Sequence, residues 1–124
     1  MALYDTDVLI DHLLDVYGAS EAILKFKDEN NSCSAITMGE ILFGMRLAEE
    51  NKTFQLINTL HILNVTKEIV LLSHDIKKIA KGFELELYDC IIAATAIIHD
   101  QILVTRNAKH YPDKRLKLFI PEYL

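Results

Sequence analysis

Apolar residues along this chain alternate between short unbroken runs and helical spacing. The run Ala2-Leu3-Tyr4 is followed by a helical pattern through "DVLIDHLL", with Gly18 as punctuation. In "SEAILKFKDEN", Ala22, Ile23 and Phe26 recur at helical spacing, and Ser20 is a candidate N-cap. "CSAI" suits a buried strand, and "TMGEILFGMRLAEE" a helix with Met38, Ile41, Leu42 and Met45 on one face. "FQLINTLHIL" reads as a helix and "EIVLL" as a short strand. "SHDIKKIAKGF" places Ile76, Ile79, Ala80 and Phe83 on one helical face behind Ser73 as N-cap. "YDCIIAATAIIHD" is helical and apolar almost all round, so it belongs inside the domain. "ILVT" and "KLFI" read as strands. Strands separated by helices require crossover connections, so the expected fold is a three-layer α/β/α sandwich with a mainly parallel central sheet.

Composition narrows this further. A chain of 124 residues, 51% apolar and 25% charged, suits one well-cored domain spanning residues 1–124. Two prolines and four glycines leave little for linkers, and no repeat or low-complexity tract appears. No leader pattern or membrane-length apolar run is present, and Cys33 and Cys90 match no metal spacing or disulfide framework. A cytoplasmic protein with reduced thiols and no membrane partner is the expectation. The net charge of −5 argues against coating nucleic acid by bulk electrostatics, but it is compatible with a nuclease whose metal reverses the local sign. Arg106, Lys109, Lys114, Arg115 and Lys117 form a basic stretch that is either a solvated face or a phosphate contact.

In open parallel sheets, sites form at the carboxyl ends of strands. There the sequence places Asp5 after Tyr4, Glu40 four residues past Ile36, and Thr105, Arg106 and Asn107 after Val104; Asp89 opens the apolar helix. Each acid has a plainer reading as a helix cap, and Thr37-Met38-Gly39-Glu40 matches a capping box. Jointly they differ. Two carboxylates 4 Å apart repel by about 4 kcal/mol at an effective dielectric of about 20, so three converging acids call for a cation. Hard oxygen ligands suit Mg²⁺ or Mn²⁺, and the five histidines form no zinc-like pair. Such a centre suits phosphodiester hydrolysis. No phosphate-binding glycine loop or nucleophile elbow is present, and contiguous Ser73-His74-Asp75 cannot form a triad.

Four ordered blocks, "YDTDVLIDHL", "SAITMGEILFGM", "YDCIIAATAI" and "LVTRNAKHY", resemble those of PIN-domain ribonucleases, especially VapC-like toxins of toxin–antitoxin pairs. The resemblance spans residues 3–111. It implies that Asp5, Glu40 and Asp89 bind Mg²⁺ or Mn²⁺ and activate water for RNA cleavage, with the Thr105 hydroxyl lining the pocket. It also implies a homodimer, and a small antitoxin whose C-terminal segment blocks the active-site groove. Two positions depart from the family pattern. Asp7 stands where Asn is usual, and is expected either to cap the first helix or to add charge near the metal. Asn107 stands where many members carry a fourth carboxylate, and is a weaker metal ligand; Asp113 is a more distant substitute. Arg106 and Lys109 are expected to bind RNA phosphates, Tyr111 to stack on bases or pack half-buried, and Asp11 to be solvated.

Two other readings compete. Asp5-Thr6-Asp7 opens like the D-x-D motif of haloacid-dehalogenase phosphatases, but Val8-Leu9 replaces the Gly-Thr that follows it there. A non-catalytic PIN module binding RNA or a protein partner is the alternative from a different class.

Overall fold

The apolar runs at Ala2–Tyr4 and Ile102–Val104 become neighbouring strands of one sheet, buried between two helical layers. The computed structural model describes residues 1–27, 29–80 and 85–123. Its strands are β1 (Ala2–Tyr4), β2 (Asn31–Ser34), β3 (His61–Leu63), β4 (Ile102–Val104) and β5 (Lys117–Phe119). The helices are α1 (Thr6–Leu13), α2 (Tyr17–Lys25), α3 (Ala35–Gly44), α4 (Glu50–Asn58), α5 (Lys67–Ile79) and α6 (Leu87–Ile98). The sheet order is β3-β2-β1-β4-β5, and every pairing is parallel.

Strand alternation divides the core in two. Leu3, Leu63, Leu103 and Leu118 face α5 and α6, packing with Ile69, Ile76 and Ile92. Tyr4, Ile62, Val104 and Phe119 face the other way, onto Val8, Leu9, Ala19, Phe26 and Ile41. The expected three-layer sandwich is therefore present. Each large apolar side chain fully buried in this way stabilises the fold by about 1.5–3 kcal/mol. From α6, Asp100 in the left-handed conformation (φ 50°) turns the chain within two residues into β4, a conformation Asp tolerates better than most residues.

Several local expectations are corrected. "EIVLL" is the first half of α5, not a strand: Ile69, Ser73 and Ile76 form its buried stripe, while Val70 and Leu71 are exposed. Thr66 caps that helix, accepting from the Ile69 amide, and Ser73 lies in mid-helix with its hydroxyl donated to the Val70 carbonyl. The proposed contribution of Phe83 lies outside the described residues. His61-Ile62-Leu63 leaves the α4 pattern to become β3. Ser34, not Thr37, caps α3, so Ala35 and Ile36 are helical and Glu40 sits in the second turn. Likewise α2 begins three residues before Ser20, whose hydroxyl meets His12 Nδ1 at 2.8 Å.

Gly18, expected as punctuation, lies inside α2, where a Cβ would come within 2.3 Å of the Glu122 carbonyl oxygen, so the close approach and not a chain break explains the glycine. Alanine gains roughly 1 kcal/mol over glycine in an open helix interior, whereas overpacking costs about 1–3 kcal/mol. Gly39 in α3 has nothing within 4 Å of its Cβ direction. Thermal unfolding should therefore show a lower midpoint for Gly18→Ala and a higher one for Gly39→Ala; equal shifts would refute the contact.

Candidate active site

The sheet reverses direction of growth at β1: β2 lies on one side and β4 on the other. Loops leaving β1 and β4 diverge there, and the gap they leave at the carboxyl edge is where open α/β sheets place ligands. Asp5 stands at that edge. Its amide donates to the Val104 carbonyl at 2.9 Å, continuing the β1–β4 ladder by one residue. Its carboxylate caps α1, Oδ1 accepting from the Thr6 amide at 2.8 Å. Asp5, not Asp7, is thus the helix cap.

The other oxygen of Asp5 carries the centre. Oδ2 accepts from Thr105 Oγ1 at 2.8 Å and from the Tyr111 hydroxyl at 3.2 Å. The same Tyr111 hydroxyl lies 3.4 Å from Asp89 Oδ1. Asp89 is in the first turn of α6, its other oxygen accepting from the Glu86 amide at 3.1 Å. On the opposite side, Thr6 Oγ1 donates to Glu40 Oε1 at 2.8 Å and lies 3.0 Å from Thr37 Oγ1. Asp5, Glu40 and Asp89 are therefore drawn to one sheet edge, with the Tyr111 hydroxyl between Asp5 and Asp89, and Thr6 bonding Asp5 by its amide and Glu40 by its hydroxyl. Among the described residues no three carboxylate, histidine or cysteine side chains stand close enough to share an ion directly.

Charge explains the hydroxyls. Burial first, then the charges of Asp7 and Asp89, pushes the Asp5 carboxyl from 3.8 up to about 6, against the opposing hydrogen bonds from Thr105 and Tyr111. Burial likewise raises Glu40 and Asp89, with Asp7 adding to both. Among the described residues none of these acids forms an ion pair with Lys or Arg. This donor set, all oxygen and short of positive charge, fits Mg²⁺ or Mn²⁺. Mg²⁺ in particular keeps several waters and needs only one or two carboxylates, as Asp5 and Asp89 provide.

The remaining expected residues are distributed differently. Thr105 is fully buried and its proton goes to Asp5, so it orients a carboxylate and does not face the groove. The Asn107 amide donates to Asp7 Oδ2 at 3.4 Å and its backbone N–H to Thr105 Oγ1. Asp7 is exposed, and its charge raises Asp5, Glu40 and Asp89 alike, which makes it the nearby fourth acid. Asp113 is paired with Arg115 at 2.6 Å. Arg106 pairs with Asp11 at 2.8 Å and stacks 4.6 Å above the Tyr123 ring, whose hydroxyl also donates to Asp11. Asp11 is thus half-buried and bonded, not solvated. Lys109 is exposed beside the site loop. Sequence reasoning missed Thr6 and Thr37. It had Tyr111 only as a stacking or packing residue, and nothing local signals a bond across 106 residues to Asp5.

The sign of the Asp5 shift yields a stability prediction. A folded carboxyl at about 6 against an ordinary 3.8 imposes a penalty on the metal-free protein above pH 6 that fades as the pH falls towards 4. Asp5→Asn removes that charge and keeps a competent helix cap. The metal-free variant should be more stable at pH 7.5 by about 2–3 kcal/mol, raising its thermal midpoint by roughly 5–10 °C. The gain should vanish near pH 4; a variant less stable at pH 7.5 would refute this electrostatic account.

The similarities to known proteins agree with this geometry. The PIN domain family matches residues 2–112. Ribonuclease VapC10 of Mycobacterium tuberculosis is 32% identical over 115 residues, covering 90% of this chain and 86% of that protein. A toxin–antitoxin complex from Klebsiella pneumoniae contains a chain of the same fold, with a TM-score of 0.83, 29% identity and full coverage of both chains. VapBC2 from Rickettsia felis, solved bound to a DNA fragment from its promoter, shares the fold at a TM-score of 0.83 and 19% identity, over 98% of each chain. With its parallel sheet and its acids gathered at the β1–β4 edge, the chain belongs to the PIN-domain family, as a homologue of a VapC ribonuclease.

Proposed function

We propose that this protein is a Mg²⁺- or Mn²⁺-dependent endoribonuclease and the toxin of a toxin–antitoxin pair. The observation that carries the reading is the joining of Asp5 and Asp89 across the β1–β4 switch point, with Glu40 tied to Asp5 through Thr6 and no Lys or Arg paired with these acids among the described residues. VapC10 is named a ribonuclease, and the fold recurs in toxin–antitoxin complexes. No helix among the described residues is long and apolar enough to cross a membrane, in keeping with action in the cytoplasm.

Asp5 and Asp89 would hold the cation, with Glu40 nearby on the same sheet edge. When bound, a divalent ion polarises an attacking water and offsets the charge that develops on the phosphate. The chain's own residues do the rest. Thr6, Thr105 and Tyr111 orient the carboxylates. Glu40, raised by burial, accepts a proton more readily than an exposed glutamate and suits a general-base role towards water. Lys109 supplies an exposed positive charge for RNA phosphates, and Asn107 an amide beside the acids. Arg106 is already committed to Asp11 and Tyr123, so its contribution to RNA affinity is smaller than that of Lys109.

A cavity of about 100 Å³ adjoins the site, lined by Ile10, Leu13, Leu14, Ile41 and Met45, with Glu40 at its edge. An apolar segment of a small antitoxin anchored there would lie beside the acids and block the groove. Val70 and Leu87, both exposed, line a shared cavity with Leu85 and Cys90, a second apolar surface suited to a homodimer contact.

Incubation with a mixed RNA pool and Mn²⁺ tests the reading. Cleavage should fall at least 100-fold in Asp5→Asn and Asp89→Asn, and be abolished by EDTA. Equal cutting by these variants would sink the site assignment. RNA binding without any cutting would favour the non-catalytic module. Because protons and the cation compete for Asp5, Mn²⁺ affinity should fall as the pH drops below about 6. Lys109→Ala should weaken RNA binding and flatten its salt dependence more than Arg106→Ala does.

A further inference from the structure

Tyr111 is nearly fully buried, and its ring belongs to the same core cluster as Leu3, Ile92 and Leu103. Packing accounts for the ring but not for the hydroxyl, which lies between two acids at 3.2 Å from Asp5 Oδ2 and 3.4 Å from Asp89 Oδ1. Asp5 Oδ2 also accepts from Thr105 at 2.8 Å. A carboxylate oxygen offers two in-plane lone pairs, so Thr105 and Tyr111 together fill those of Oδ2. Of the two bonds the tyrosine's is the longer and the weaker. A cation using that oxygen therefore displaces Tyr111 before Thr105. The hydroxyl has one proton, which it can only share between the two oxygens in a three-centre bond, weighted towards the nearer Asp5.

Resting on the metal-site reading above, we propose that Tyr111 is a positioning residue whose hydroxyl holds Asp5 and Asp89 together in the metal-free protein and competes with the divalent cation for the same two oxygens. The hydroxyl lowers the free energy of the metal-free site and adds nothing comparable once the cation is in place. It thereby sets how much free metal the enzyme needs before it becomes loaded.

Tyr111→Phe keeps the ring and removes only the hydroxyl. Calorimetric titration of EDTA-stripped protein with Mn²⁺ at pH 7.5 should show binding about tenfold tighter in Tyr111→Phe than in the parent. Thermal unfolding provides the second readout. The variant should have a lower midpoint than the parent without metal, and the parent's midpoint at saturating Mn²⁺. A purely structural tyrosine would lower both midpoints equally. Unchanged or weaker Mn²⁺ binding in Tyr111→Phe, with the parent's binding abolished by Asp5→Asn, overturns the role of Tyr111 alone. Absence of Mn²⁺ binding in the parent overturns the metal-site reading and this proposal together.

Discussion

The buried carboxylate of Asp5 is the constraint on which the rest of this structure depends. It sits where the β1–β4 ladder ends and α1 begins, so the same side chain that would hold a cation also caps a helix and lies at the sheet's switch point. Burying it costs free energy, and placing Asp7 and Asp89 near it adds repulsion. The fold answers with neutral hydrogen-bond donors. Thr105 reaches Asp5 from β4's end, Thr6 serves Asp5 through its amide and Glu40 through its hydroxyl, and Tyr111 spans Asp5 and Asp89. Each donor lowers the cost of a carboxylate without introducing a positive charge that would compete with a metal.

The two-sided core makes this arrangement possible. Leu3 and Leu103 on one face, Tyr4 and Val104 on the other, lock β1 and β4 in register, and that register sets Asp5 and Thr105 side by side. The apolar helix α6 has its middle sealed against the sheet, which fixes its first turn and with it Asp89. The most completely buried part of the protein thus positions its least comfortable charges, an economy of scaffold common where function opposes stability.

Much of this was legible in the sequence, and the pattern of misreadings is instructive. Asp5 could be picked out because it directly follows an apolar strand run, Glu40 because it lies one turn past another, and Asp89 because it opens the apolar helix. Boundaries went astray where two patterns overlap. "EIVLL" looks like a strand only because exposed Val70 and Leu71 fill the gaps of a helical stripe. Gly18 looked like a break because glycine's local meaning hides a contact with Glu122, over a hundred residues away. Asp11 looked solvated because its partners, Arg106 and Tyr123, come from the far end of the chain.

The sequence by itself determined the layer architecture and the family, since these follow from periodicity and from motifs read in order. Tertiary structure alone decided how the acids are connected. A hydroxyl's role depends on which charge it reaches, and the reach of Thr105 to Asp5 or of Tyr111 to Asp89 is set by strand register and loop path. That is why Tyr111 reads as an ordinary aromatic in the chain, and becomes in the folded protein the link between Asp5 and Asp89.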